Sequence, residues 1–161
     1  LRVNTSYMSN WVSLCILASR RSICMAVSSA ANHASMIEGI RHSREQKCIW
    51  KHNDLANLEA YFRAMPLNKT IFMTVDSAQS MDGNIAAIEQ ICGPADEYGA
   101  IIYLVEYHEV GLYRPHGAGI AKLQGMISQI TFIAGTSAKA FGVVWATRRD
   151  RPCFMISFVC L

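Results

Sequence analysis

The chain has 161 residues, 15 Lys+Arg against 12 Asp+Glu, and a formal net charge of +3. Hydrophobic residues make up 52% and charged residues 17%, which excludes a disordered chain and a coiled coil. The longest clear apolar run, Ala100 to Val105, ends at Glu106, far short of the roughly 20 residues of a membrane span.

Helical and strand patterns alternate along the chain. Asn10 stands where it could cap a helix carrying Trp11, Leu14, Cys15 and Leu17 on one face. Ile23 to Val27 reads as a strand. Ser35 to Glu38 has capping-box spacing ahead of a Met36, Ile37, Ile40 stripe. Cys48 to Trp50 reads as a short strand. Asn53 would cap a helix with Leu55, Leu58, Tyr61, Phe62 and Met65 inward, ended by Pro66. Thr70 to Val75 follows as a strand. Asp82-Gly83 turns the chain into a helix from Ile85 to about Tyr98. Gly99 stops that helix, and Ala100 to Val105 is a buried strand. Gly111 to Gly119 is a loop, Ile130 to Ala134 a strand, and Gly142 to Trp145 one more candidate. This alternation predicts an α/β fold: a mostly parallel sheet with helices on both faces.

Ligands of such sheets sit at the carboxyl ends of the strands. That rule places Ser77 to Gly83, Glu106 to Gly111 and Gly135 to Lys139 at the functional edge, carrying Ser80, His108, Thr136 and Lys139. Lys139 lies among small residues past a strand. It is either a Schiff-base lysine in an apolar setting or a surface lysine in a loop. His108 could bond a cofactor oxygen, act as a base or, with Glu106 and His116, bind a metal. The spacing is poor for a metal and no fourth ligand stands out, so no metal site is predicted. His33, after Asn32 at a helix entrance, fits a capping or packing role. His42 and His52 lie among charged residues and read as solvated. The sequence has no G-x-G-x-x-G after a strand, no G-K-[ST] and no G-x-S-x-G.

The six cysteines, Cys15, Cys24, Cys48, Cys92, Cys153 and Cys160, form no C-x-x-C and read as reduced thiols. Arg20-Arg21 and the Arg148 to Arg151 cluster lack interleaved aromatics, so no nucleic-acid partner is predicted. The opening residues show no signal-peptide order, and a cytoplasmic protein is expected, with the mitochondrial matrix as the alternative.

From Asn32 to Arg44 the sequence NHASMIEGIRHSR resembles the 5-aminolevulinate synthases of the α-oxoamine synthase family. The likeness continues through Ile49 to Leu55, Ser80 to Gly83, His108 to Tyr113 and Gly135 to Gly142, and runs from about Thr5 to Val144. It implies part of the large domain of a pyridoxal-phosphate enzyme of the aspartate-aminotransferase fold type. Residues 1–144 would be the central part of that domain and 145–161 a divergent tail, with the small C-terminal domain absent. The implied reaction condenses glycine with succinyl-CoA, releasing CoA and carbon dioxide, in tetrapyrrole synthesis by a homodimer. Roles carried over by the resemblance are an internal aldimine at Lys139, phosphate contacts at Thr136 and Tyr7, ring stacking by His33, and bonds from Ser80 and His108 to the ring's phenolic oxygen.

The departures have consequences too. Val105 stands where the family has the aspartate that keeps the cofactor's pyridine nitrogen protonated. Glu106 is adjacent, but neighbouring strand residues point to opposite faces, so it is not expected to substitute. A glycine between Ser6 and Tyr7 is missing, Arg114 and Ala118 replace glycines, and Ala134 replaces an acidic residue. The expectation is a chain that does not turn over alone. The alternatives are a degenerate non-catalytic relative serving as a structural or dimer partner, a gene remnant, or a related α-oxoamine synthase.

Overall fold

The computed structural model describes residues 2–3, 5–19, 24–66, 68–113, 117–142 and 146–150, and for residues 2–3, 24 and 147–150 the backbone alone. Its elements are β1 (Arg2–Val3), α1 (Ser6–Ser19), β2 (Cys24–Ser29), α2 (Ala34–Ser43), β3 (Gln46–Trp50), α3 (Leu55–Ala64), β4 (Thr70–Asp76), α4 (Ile88–Glu97), β5 (Ile101–Glu106), α5 (Ile120–Leu123), β6 (Phe132–Thr136) and β7 (Ala146–Asp150). One sheet runs in the order β1-β7-β6-β5-β4-β2-β3. From β3 to β6 every pairing is parallel. β7 is antiparallel to both of its neighbours. The predicted α/β fold is therefore present, with an antiparallel margin that alternation did not foretell. Ile23, residues 143–145, His116, Arg114, Cys153, Cys160 and the tail from 151 onward lie outside the described residues.

Successive strand residues point to opposite faces, and β5 shows the consequence. Tyr103 and Val105 join Leu14, Leu17, Met36 and Ile40, the inward residues of α1 and α2. Ile102 and Leu104 join Leu58, Phe62, Ile91 and Ala95 of α3 and α4. β5 is buried along its whole length, as a central parallel strand must be. On one face α1 and α2 pack closely because Gly39 has no side chain. A Cβ there would sit 2.8 Å from the Leu14 Cβ and 3.1 Å from the Trp11 carbonyl oxygen.

Several element ends differ from the sequence expectation. Asn10 does not cap α1; it is buried within that helix, and Thr5 Oγ1 accepts the Met8 N–H instead (3.2 Å). The capping box at Ser35 does not form: His33 caps α2, and Glu38 pairs with Arg41 at 2.6 Å. Asp54 rather than Asn53 caps α3, its carboxylate accepting the Asn57 N–H (3.0 Å). Asn53 instead takes a left-handed turn at φ 56°. α4 starts at Ile88 because Ile85 bridges back to Ala78. Residues 146–150, predicted as tail, form β7.

Candidate active site

A cavity of about 310 Å³ opens at the carboxyl ends of β4, β5 and β6. It brings together Tyr7, His33, His108, Thr136 and Lys139, five of the six residues singled out from sequence. Thr5, Ser6, Asp76, Tyr107 and Ala138 complete the lining. Ser80 is not part of it. Its turn is tied to itself by the Gly83 N–H to Gln79 carbonyl bond (2.9 Å) and the Asn84 N–H to Asp82 Oδ1 bond (2.9 Å). Ser80 is left exposed.

Each wall has a local cause. The first turn of α1 leaves the amides of Ser6 and Tyr7 without intrahelical acceptors. They form the positive end of a 14-residue helix dipole. Ser6 Oγ donates to Thr136 Oγ1 at 2.7 Å, linking that end to the end of β6. The Ala138 N–H also donates to Thr136 Oγ1 (3.2 Å), which shapes the turn into Lys139. Lys139 itself is exposed, not set in apolar surroundings. His108 is half-buried, and its pKa is lowered by burial and then by the nearby Lys139 and His33 charges. It is therefore a neutral donor or acceptor at neutral pH.

A buried polar chain runs behind the lining. Tyr107 Oη lies 2.9 Å from the Ser6 carbonyl oxygen and 2.8 Å from Asn10 Oδ1, and its one proton is shared between these two acceptors. Asn10 Nδ2 donates to Ser35 Oγ (3.0 Å). The Ser35 hydroxyl and the Ser35 N–H both meet His33 Nδ1, at 2.8 and 3.2 Å. With Nδ1 accepting, a neutral His33 ring carries its proton on Nε2. His33 thus has both roles at once: it caps α2 and presents its ring to the cavity.

Two carboxylates escaped the sequence reading as site residues. Asp76 ends β4, is 4% exposed, and its Oδ1 has no hydrogen-bond partner. Its pKa is pushed up to about 8, by burial first and then by Glu109. Glu109 is fully buried, accepts the His108 N–H at 2.9 Å, and is pushed up to about 7, chiefly by burial. The signal for Asp76 was an acid closing an apolar strand; the predicted strand stopped one residue short of it. Glu106 behaves as expected of its neighbour-to-Val105 position. It points to the opposite face and accepts the Ala121 N–H at 2.7 Å. Gly119 makes room for it: a Cβ there would lie 2.4 Å from Glu106 Oε2.

Among the described residues no group of three or more His, Cys, Asp and Glu is placed to hold a metal, and Cys15 and Cys48 are thiols outside any disulfide. No helix among them is long and apolar enough to cross a membrane.

The chain is 46% identical over 144 residues to a 5-aminolevulinate synthase of Rhizobium meliloti, covering 89% of this chain and 36% of that protein. It is 46% identical over 139 residues to the mitochondrial 5-aminolevulinate synthase of Schizosaccharomyces pombe, covering 86% of this chain and 25% of that protein. The chain thus spans about a quarter to a third of the length of these relatives. A serine palmitoyltransferase from S. paucimobilis, solved with a bound PLP-myriocin aldimine, superposes with a TM-score of 0.88 at 25% identity, over 98% of this chain and 39% of that one. An 8-amino-7-oxononanoate synthase from Francisella tularensis shares the fold, with a TM-score of 0.80 at 20% identity over 98% of this chain and 44% of that one. Residues 3–144 match the aminotransferase class I and II family, and the chain belongs to it.

Proposed function

We propose that the chain forms the central, cofactor-holding part of a 5-aminolevulinate synthase, an acyltransferase that joins glycine to succinyl-CoA and releases CoA and carbon dioxide. On this reading residues 1–144 belong to the large domain. The observation that carries it is the single cavity in which Lys139, His108, His33, Thr136 and the α1 N-terminus converge. Identity above 40% to several synthases supports the same substrates and a place in heme synthesis.

The residues fit pyridoxal phosphate. The free amides of Ser6 and Tyr7, with the Ser6–Thr136 hydroxyl pair, suit a phosphate group. The exposed Lys139 amine suits covalent attachment through the cofactor's aldehyde carbon. The buried, unpartnered Asp76 Oδ1 offers a polar end to the same space. When bound, the cofactor supplies an electron sink for the charge left at glycine's α-carbon. The Lys139 amine would serve as the base that takes the proton from that carbon. His33, held in orientation by Ser35 and through it by Asn10, would lie against one face of the bound ring. Neutral His108 would donate to the ring's phenolic oxygen. For Ser80, exposed outside the cavity, the same role needs a move of its turn.

A homodimer is the proposed assembly. Met81 at 95% and Leu112 at 69% exposed are large apolar side chains that a partner would cover. The compartment is the cytoplasm or the mitochondrial matrix, since relatives of both bacterial and mitochondrial kind match.

Borohydride reduction of the chain with saturating pyridoxal phosphate, then peptide mapping, tests the reading. A pyridoxyl group on Lys139, lost in Lys139→Ala, is expected; an unlabelled Lys139 overturns it. A second reading, a non-catalytic relative, is favoured by Val105 lying in an apolar cluster where the family aspartate would stand. It predicts no 5-aminolevulinate even from cofactor-loaded full-length protein carrying this segment, where the synthase reading predicts product.

A further inference from the structure

We propose that Asp76, one strand over from Val105, is the carboxylate that faces the cofactor's ring nitrogen. This rests on the pyridoxal-phosphate reading above. A pyridine ring is an effective electron sink only when its nitrogen is protonated or strongly hydrogen-bonded to an acid. Val105 cannot serve, since it offers no polar atom. Three acids lie close enough in sequence or space to be candidates, and the geometry separates them.

Glu106 leaves the cavity on the opposite face of the sheet and is engaged with the Ala121 N–H. Glu109 is outside the lining and holds the His108 N–H. Asp76 is the acid in the cavity lining. The register explains why it points there. β4 and β5 are parallel, and Asp76 pairs directly with Val105. Paired residues of adjacent strands send their side chains to the same face, with the strands about 4.8 Å apart. Phe72, two steps of alternation before Asp76, shares the face of Tyr103 and Val105, as the period requires. Asp76 is therefore displaced sideways from the Val105 position by one strand spacing, still within the reach of a ring seated toward β4.

The site is also built around it. The Asp76 N–H donates to Asn32 Oδ1 (3.1 Å), and Asn32 Nδ2 in turn donates to the Thr74 carbonyl (2.8 Å) and to Ser28 Oγ (3.0 Å). The backbone at Asp76 is thereby fixed while Oδ1 stays unpartnered and buried. A buried polar atom without a partner is costly, and so is a buried ring nitrogen without one. Each satisfies the other. Burial and the neighbouring Glu109 favour the protonated form of Asp76 in the free site. On cofactor binding the Oδ–H bond breaks and a ring N–H bond forms. The resulting carboxylate stays against the pyridinium, and total charge is unchanged.

The test loads the chain with pyridoxal phosphate labelled with 15N in the ring and reads the nitrogen signal at neutral pH. A pyridinium signal is expected in the parent, and a neutral-pyridine signal in Asp76→Asn. Cofactor affinity should fall by about 10-fold or more in that variant, the worth of one charge-assisted bond. Adding Val105→Asp to Asp76→Asn should return the pyridinium signal, which a merely structural Asp76 would not allow. A neutral ring nitrogen in the parent, or a pyridinium signal that persists in Asp76→Asn, overturns the assignment while leaving Lys139 labelling intact. An unlabelled parent Lys139 overturns the cofactor reading and this assignment together.

Discussion

The two faces of the sheet are built from different chemistry. The face under α3 and α4 is filled by Leu58, Phe62, Ile91, Ile102 and Leu104. The face under α1 and α2 has an apolar middle, around Leu14, Met36 and Phe132. Toward the strand carboxyl ends it becomes a hydrogen-bonded polar layer of Asn10, Ser35, Asn32, Thr74, Tyr107 and Asp76. The same strands serve both faces, because alternate residues can differ in kind at no cost to the ladder. What this teaches is a division of labour: one face supplies cohesion, the other converts cohesion into the positioning of a few polar atoms.

That comparison can be broken from either side. Phe62→Ala, on the apolar face, should cost about 3–5 kcal/mol of stability through lost burial and a cavity. Urea unfolding measures this, and pyridoxyl labelling of Lys139 below the transition should be unchanged. A loss of labelling with little loss of stability would contradict the division.

On the polar face the expected signature is pH dependence. Asp76 and Glu109 hold their protons to about pH 8 and about pH 7 in the folded chain, while the unfolded chain releases them near 3.8 and 4.5. Between about pH 5 and 7 the folded state therefore binds more protons, and its stability falls as pH rises. The slope approaches about 1.4 kcal/mol per pH unit for each such proton. Glu106, also raised by burial, acts with the same sign from the other face. His108, with its lowered pKa, acts oppositely below its ordinary value, weakened by its partial exposure. Unfolding midpoints at pH 5 and 7 should differ in this direction, and the difference should shrink in Asp76→Asn and Glu109→Gln.

Asn32→Ala removes the bridge between β2, β4 and the Asp76 backbone. It leaves buried partners unsatisfied, at about 1–3 kcal/mol. Unlike Phe62→Ala it should weaken cofactor binding more than its stability loss accounts for, as read by equilibrium titration. At the small end, Arg41→Ala breaks the largely exposed pair with Glu38 and should shift stability by less than about 1 kcal/mol. A larger loss would show that α2 depends on its solvent side as well as on its packing.

Much of this was legible in residue order. Apolar strands, helix stripes and terminal glycines were enough for the parallel α/β fold, since each depends on local periodicity. Lys139, Thr136 and His108 could be placed at one edge because strand carboxyl ends in a parallel sheet all face the same way. Element starts were less legible. Asn10 reads as a cap by type, yet its side chain is taken up by Ser35, Tyr103 and Tyr107, residues 25 to 97 positions away.

What tertiary structure alone decided is the pairing across strands. The resemblance implied an aspartate missing at Val105, and strand alternation placed Glu106 on the other face. Neither showed that Asp76, 29 residues earlier, stands beside Val105 on the same side of the sheet. Periodicity fixes a side chain's face within its own strand. Register between strands is set only when both pack against the same helices, and at that step the missing carboxylate acquires a neighbour.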